Sequence, residues 1–160
     1  MNRTPLSTVK REIDELMAGF FRAVSFEAGQ APSYPTLHAL FVEAGLLIKN
    51  SGENPEICNL RQFIEPRQAA FDAAELTRFC EVELFETTDI FGNVAQRFSA
   101  YAKSGVLDGA AFVARGMIST QFVLTAAGWK MSAMAWDDER AGLSVPERVV
   151  RSDFQHIAGP

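Results

Sequence analysis

The spacing of apolar residues changes halfway along this chain, and this change limits the folds that are open to it. Over residues 7–24 the large apolar side chains recur at helical spacing, with charged residues on the opposite face. Over residues 79–86 and 94–102 they alternate, as in half-buried strands, and further strands are predicted over 115–125 and 128–136. Helices followed by a meander of strands predict an α+β fold in which the helices pack on one face of an antiparallel sheet.

Shorter elements fill the rest of the first half. Residues 37–41 indicate a short second helix that leads into a brief buried strand over 45–48, and residues 51–55 have the composition of a turn. Residues 60–71 carry apolar side chains, together with Arg67, at helical spacing. Because Pro66 lies inside this segment, the helix should kink or start late.

The length of the chain predicts one domain. At 160 residues it can bury roughly two thirds of its unfolded surface. No internal repeat or linker divides it, so we expect a single domain over 1–160, with a core of about 8–140 and a C-terminal extension over 141–160. The 13 phenylalanines are bulky residues, and an aromatic-rich core can leave a lined cavity.

The charge pattern excludes several classes of partner. The net charge is −5 and no basic run is present, which argues against nucleic acid because phosphate binding needs clustered Lys and Arg. No stretch of about 20 apolar residues could cross a bilayer, and the charged N-terminal segment does not resemble a secretory signal. The two cysteines, Cys58 and Cys80, do not indicate a disulfide framework. We therefore expect a cytoplasmic protein without a membrane segment.

Alternation also predicts which side chains of the strand 79–86 face the core. Cys80, Val82 and Leu84 share one face, and Glu81 and Glu83 share the other. We therefore expect the three apolar residues to be buried and the two glutamates to face solvent or a partner chain.

The segment GWKMSAMAWDDE, residues 128–139, runs from an apolar stretch into acids. Trp129 and Trp136 are seven positions apart, so a regular strand would place them on opposite faces. Asp137 and Asp138 also alternate, so they should not jointly bind one metal ion or substrate. With only His38 as a histidine in the core part of the chain, no metal site is expected. The acids are interpreted as the point where a strand meets solvent.

Four stretches carry a resemblance to a known superfamily: LHALFVEAGLLI (37–48), GNVAQRFSAY (92–101), ARGMISTQF (114–122) and the segment 128–139. With the order of elements, they resemble the nuclear transport factor 2-like superfamily, and in particular its small bacterial members that are grouped with SnoaL-like polyketide cyclases. The resemblance covers about residues 8–140. It implies a cone-shaped domain in which N-terminal helices close a curved antiparallel sheet around a pocket. Its members include isomerases, dehydratases, cyclases and non-catalytic binding proteins, so function must be argued from the site.

The catalytic patterns of the enzymatic members are not visible in this sequence. In the ketosteroid isomerase branch an aspartate base acts beside a tyrosine and a protonated second aspartate. Here a comparable strand position holds Gln96, whose amide does not exchange a proton at neutral pH. A dehydratase of the scytalone type would use histidine and acid partners, but His38 and Glu43 are five positions apart and do not share a helix face. Catalytic residues therefore stay unassigned.

The predicted binding site rests on two amides. We expect Gln96 and Gln121 to point into the cone, where they would orient a small apolar molecule with a polar end. The alternative is that each amide bonds a neighbouring strand or helix end. The residues expected to line the pocket are His38, Phe41, Phe63, Gln96, Phe98, Ser119, Gln121 and Trp136. No cofactor is expected.

Three functions stay open at this point. The favoured one is a small-molecule-binding domain with an apolar pocket, which forms a homodimer through the outer face of its sheet. The alternative is an isomerase, dehydratase or polyketide cyclase-like enzyme that acts on a small apolar carbonyl or aromatic substrate. The third is a structural or interaction domain whose cavity is filled by phenylalanine side chains.

Overall fold

The computed structural model describes residues 4–147. Its helices are α1 (Leu6–Val24), α2 (Leu37–Leu40) and α3 (Leu60–Asp72), with a 3₁₀ turn at Tyr34–Thr36. Its strands are β1 (Phe41–Lys49), β2 (Glu56–Asn59), β3 (Leu76–Phe91), β4 (Val94–Leu107), β5 (Ala110–Thr125) and β6 (Gly128–Asp138). The predicted C-terminal extension lies outside the described residues from position 148 onward.

The strands form one curved sheet in the order β2-β1-β6-β5-β4-β3. Strands β1 and β6 are parallel, and the other neighbouring pairs are antiparallel. The sheet does not close on itself, and the helices cover one of its faces, which is called the inner face below. The predicted α+β fold with a curved sheet is confirmed. No helix within residues 4–147 is long and apolar enough to cross a membrane.

Helix α1 forms one side of the core, because its apolar residues repeat at helical spacing. Its buried residues include Ile13, Met17, Phe20 and Val24. They pack in one cluster with side chains from the inner face of the sheet, namely Ile118, Phe122, Trp129, Met131 and Met134. Full burial of each such side chain contributes about 1.5–3 kcal/mol, so this cluster holds α1 against the sheet.

Helix α3 begins at Leu60 and continues through Pro66, so the prediction of a late start was wrong. A capping box fixes its first turn. The Asn59 side chain accepts a hydrogen bond from the Gln62 backbone N–H at 2.9 Å, and the Gln62 side chain accepts one from the Asn59 backbone N–H at 3.0 Å. Such a cap contributes about 1 kcal/mol. The capping box fixes where α3 begins, and so it determines which residues of the helix face the cavity.

The orientation of β3 is opposite to the prediction. Val82 and Leu84 are 47% and 45% exposed, whereas Glu81 lines the interior and Glu83 bonds Arg97 on the inner face. Apolar residues occur at both odd and even positions of this strand, so alternation alone does not predict which of its faces turns toward the core. The buried guanidinium of Arg97 on β4 offsets the cost of turning Glu83 inward.

Strand β6 contains a bulge between Met131 and Ala133, where one extra residue opposes β5. A bulge shifts the alternation of side chains by one position. As a result Trp129 is buried in the core and Trp136 lines the interior cavity, so both face inward. The prediction that they lie on opposite faces was wrong because it assumed a regular strand.

Candidate functional site

A cavity of about 130 Å³ lies between the helices and the inner face of the sheet. Its apolar wall includes Phe20, Phe63, Leu76, Phe79, Met134 and Trp136, and its polar residues are Tyr34, Lys49, Arg67, Glu81 and Lys103. An engineered apolar cavity of about 150 Å³ binds benzene. The space therefore suits a molecule of about the size of one aromatic ring.

Glu81 brings a carboxyl group to this cavity from β3, directly opposite Lys103 of β4 in the strand register. Within residues 4–147 its side chain makes no hydrogen bond; its backbone N–H bonds the Ser25 hydroxyl at 3.0 Å. Burial raises the pKa of Glu81 to about 7, while Lys103 and Arg67 partly oppose that rise. Near neutral pH this carboxyl can therefore both accept and donate a proton.

Arg67 enters the cavity from α3. Its NH1 group donates a hydrogen bond to the Phe63 carbonyl at 2.9 Å, and its guanidinium carbon lies 3.6 Å from the centre of the Phe63 ring. The ring attracts the cation through its negative face. Burial lowers the pKa of Arg67, although an arginine remains charged at neutral pH. The helix thus holds a cation against the aromatic wall.

Lys103, Tyr101 and Asp138 form a polar group beside the cavity. The Lys103 amine donates to both carboxylate oxygens of Asp138, at 2.8 and 3.0 Å, and the Tyr101 hydroxyl donates to the same carboxylate. Gly116 on β5 leaves the space for that hydroxyl, because a Cβ there would lie 2.2 Å from it. Burial, and then the bond to Asp138, raise the pKa of Tyr101, so the phenol stays protonated.

The interpretation that the acids at the end of β6 mark the point where the strand meets solvent holds for Asp137 but not for Asp138. Asp137 pairs with Arg140 at 2.6 Å near the surface. Asp138 points to the inner side and binds Lys103 and Tyr101. Within residues 4–147 no group of three or more His, Cys, Asp or Glu side chains is placed to hold a metal ion.

Two of the eight residues predicted to line the pocket do line the interior cavity, namely Phe63 and Trp136. Their rings meet edge to face, with centroids 6.1 Å apart. Phe41 is buried in the adjoining core, where its ring centroid lies 6.5 Å from that of Phe20. His38 is exposed on α2. The binding roles of Phe63 and Trp136 stay predictions.

The other four residues, Gln96, Phe98, Ser119 and Gln121, lie exposed on the outer face of the sheet. The inner positions of β4 and β5 are taken by Arg97 and Thr120, which are buried, and alternation then turns the four outward. Gln96 donates a hydrogen bond to Asp89 at 3.2 Å. The prediction that the two amides point into the cone was wrong, because Arg97 pairs with Glu83 and Asp14 and so takes the inner phase of β4.

The architecture defines a class: a curved sheet covered by helices around an interior cavity with charged residues. No protein-family model matches the chain, and no curated protein matches it. Solved structures do match. A nuclear transport factor 2-like superfamily protein from Salmonella enterica superposes with a TM-score of 0.69 at 16% identity, over 93% of this chain and 99% of that one.

Two further structures show the same architecture. A nuclear transport factor 2-like protein from Cytophaga hutchinsonii has a TM-score of 0.63 at 15% identity, with 87% of this chain and 100% of that chain covered. A candidate scytalone dehydratase from Novosphingobium aromaticivorans has a TM-score of 0.66 at 12% identity, with 82% and 84% covered. The chain has the nuclear transport factor 2-like fold, as its motifs predicted. Identities of this size carry the fold and not the activity.

Proposed function

We propose that this protein binds a small, mostly apolar molecule in its interior cavity and contacts the polar end of that molecule with Glu81. The observation that carries this proposal is a carboxyl group without a hydrogen-bond partner among residues 4–147, in a cavity of about 130 Å³ with apolar walls. The side chain of Glu81 is half-buried, so water can still reach its carboxyl oxygens. A ligand that bonds Glu81 would take the place of that water while its apolar body covers the aromatic wall, which favours occupation of the cavity.

Proton transfer is the second candidate function. A carboxyl group with a pKa of about 7 suits general acid–base catalysis at neutral pH. Glu81 would remove a proton from carbon beside the carbonyl of a small apolar or aromatic substrate and return it elsewhere. This is the chemistry of an isomerase, dehydratase or cyclase. The similar fold of the candidate scytalone dehydratase supports the proposal by analogy only.

The binding proposal is tested by filling the cavity. Thermal melts of the wild type with small aromatic and aliphatic ketones and carboxylates should show a rise in Tm of several degrees for at least one compound, since saturation by a ligand at 100 times its Kd adds about 2.7 kcal/mol. Leu76→Trp, on the cavity wall, should abolish that rise. Leu124→Trp makes the same change at an exposed position and should keep it. The same rise in all three proteins, or none with any compound, would refute the proposal.

We also propose a homodimer through the outer face of the sheet. Val82, Leu84, Phe98 and Val113 are between 45% and 84% exposed on that face, and an exposed apolar patch on a sheet commonly marks an interface. Light scattering is expected to give a dimer mass for the wild type and a monomer mass for Phe98→Lys. Leu6→Lys, which changes an exposed apolar residue on α1 instead of the outer face, should remain dimeric. A monomeric wild type at all concentrations would overturn the proposal.

The compartment belongs to the same proposal. Cys58 and Cys80 are both free thiols, and free thiols are typical of a reducing compartment. We therefore propose that the protein is cytoplasmic. A membrane or secreted fraction in cell fractionation would count against this assignment.

A further inference from the structure

The charges around the cavity do not balance. Lys103 is paired with Asp138. Lys49 and Arg67 also line the cavity, but neither has a carboxylate within 4.0 Å among residues 4–147. The remaining acid is Glu81, and burial keeps most of its population protonated below about pH 7. The cavity therefore has an excess of positive charge next to apolar walls.

The guanidinium of Arg67 has free hydrogen-bond donors and a restricted orientation, and both features suit the binding of an anion. Its single hydrogen bond to protein within the described range, from NH1 to the Phe63 carbonyl, leaves most of its N–H donors unused. Contact with the Phe63 ring at 3.6 Å restricts the plane of the guanidinium. A planar cation with free donors pairs best with a carboxylate, which can accept two parallel hydrogen bonds.

We propose that the ligand is a compact monocarboxylate with an apolar body, whose carboxylate pairs with Arg67. Lys49 adds positive charge to the cavity lining, and the aromatic wall accommodates a body of about one ring. This inference rests on the proposed binding function and names its ligand class. The apolar walls favour a monocarboxylate over inorganic phosphate, because phosphate needs polar partners around its whole surface.

Glu81 makes the binding depend on pH. The groups that face it are Arg67 from α3, Tyr34 from the 3₁₀ turn, Lys49 from β1, Lys103 from β4 and Asp138 from β6. When protonated, Glu81 can donate a hydrogen bond to a bound carboxylate; when ionised, it repels it. Benzoate is ionised throughout the range, so its affinity for the wild type should fall by about tenfold between pH 6 and pH 8.

Calorimetric titration at pH 6 with benzoate, benzamide, benzyl alcohol and inorganic phosphate tests the ligand class. We expect benzoate to bind the wild type most tightly. Arg67→Met should weaken benzoate by at least about tenfold and leave the two neutral compounds almost unchanged. Arg67→Lys should give an intermediate affinity. Arg61→Met, which removes an exposed arginine from the same helix, should behave as the wild type.

The outcomes separate this inference from the proposed function. Binding of the neutral compounds without preference for benzoate overturns the monocarboxylate and leaves the binding function in place. If none of the four compounds binds, and no compound in the thermal melts raises the Tm, both the monocarboxylate inference and the proposed binding function are wrong. Phosphate that binds as tightly as benzoate also overturns the inference. If circular dichroism shows that Arg67→Met does not fold, two other measurements test the proposal: the benzoate affinity of Arg67→Lys, and the benzoate affinity of the wild type at pH 6 and pH 8. The proposal is contradicted if Arg67→Lys binds benzoate as tightly as the wild type and the wild type binds it equally at both pH values.

Discussion

Replacement of Arg97 by methionine is expected to lower the free energy of unfolding by about 3–5 kcal/mol. Arg97 is only 5% exposed. Its guanidinium lies 2.5 Å from a carboxylate oxygen of Glu83 on β3 and 2.6 Å from one of Asp14 on α1, so it joins the first helix to the sheet. Among residues 4–147, removal leaves the Glu83 carboxylate with the Ser99 hydroxyl as its one hydrogen-bond donor, at 2.6 Å. Methionine keeps most of the apolar volume, so the loss reports the missing charge.

Lys10→Met is the matched control for this prediction. Lys10 binds Asp14 at 2.5 Å and Glu86 at 2.9 Å in the same cluster, but its side chain is 36% exposed. Ion pairs at such positions contribute about 0–1 kcal/mol. Urea denaturation of both variants against the wild type measures the difference. A similar loss for Lys10→Met and Arg97→Met would show that the buried guanidinium has no special contribution.

The ion pairs around Arg97 also predict how the difference in free energy of unfolding between the wild type and Arg97→Met changes in acid. Burial alone would raise the pKa of Asp14, but hydrogen bonds from Lys10 and Arg97 outweigh it and lower the pKa. Burial would also raise the pKa of Glu86, but hydrogen bonds from Thr88 and Lys10 outweigh it and lower the pKa. Such carboxyls bind fewer protons in the folded state than in the unfolded chain. Their contribution to the free energy of unfolding is therefore fully present above their ordinary pKa of about 4 and is lost as the pH falls below it. The gap between the wild type and Arg97→Met should therefore narrow below about pH 4.

The fold could be predicted because its signal is long and local. The helical spacing of residues 7–24 and the alternation over 94–102 each cover most of an element, namely an observed helix and an observed strand. The orientation of β3 could not be predicted in the same way. Glu83 faces inward because Arg97, 14 positions along the chain, pairs with it. An interaction between two strands leaves no trace in the alternation of either one.

The candidate site was harder to predict for a related reason. Glu81, Arg67 and Lys103 come from different elements and meet only after the sheet curves and α3 docks. Charged residues usually face solvent, but this rule fails where the charges pair or face a cavity. One local signal was present. Arg67 stands on the apolar face of its helix, at helical spacing from Phe63, where a solvent-exposed arginine would not be expected.

Replacement of Glu81 by glutamine is expected to remove a loss of stability that the wild type shows between about pH 4.5 and pH 7. Burial in the cavity raises the pKa of Glu81 from 4.5 to about 7. In this range the folded protein keeps a proton that the unfolded chain has released, so the free energy of unfolding falls as the pH rises. At about 1.4 kcal/mol per pKa unit, Glu81 makes the wild type less stable at pH 8 than at pH 4.5 by on the order of 3 kcal/mol.

The glutamine amide is close in size to a protonated carboxyl and does not titrate. Glu81→Gln should therefore approach the wild type in stability below about pH 5 and exceed it at pH 8 by on the order of 3 kcal/mol. Urea denaturation at a series of pH values measures both curves, and Glu53→Gln, at an exposed turn position, should follow the wild type throughout. Parallel curves for the wild type and Glu81→Gln would mean that water reaches this carboxyl freely. Glu81 could then serve neither as a desolvated polar contact for a ligand nor as a proton donor tuned to neutral pH.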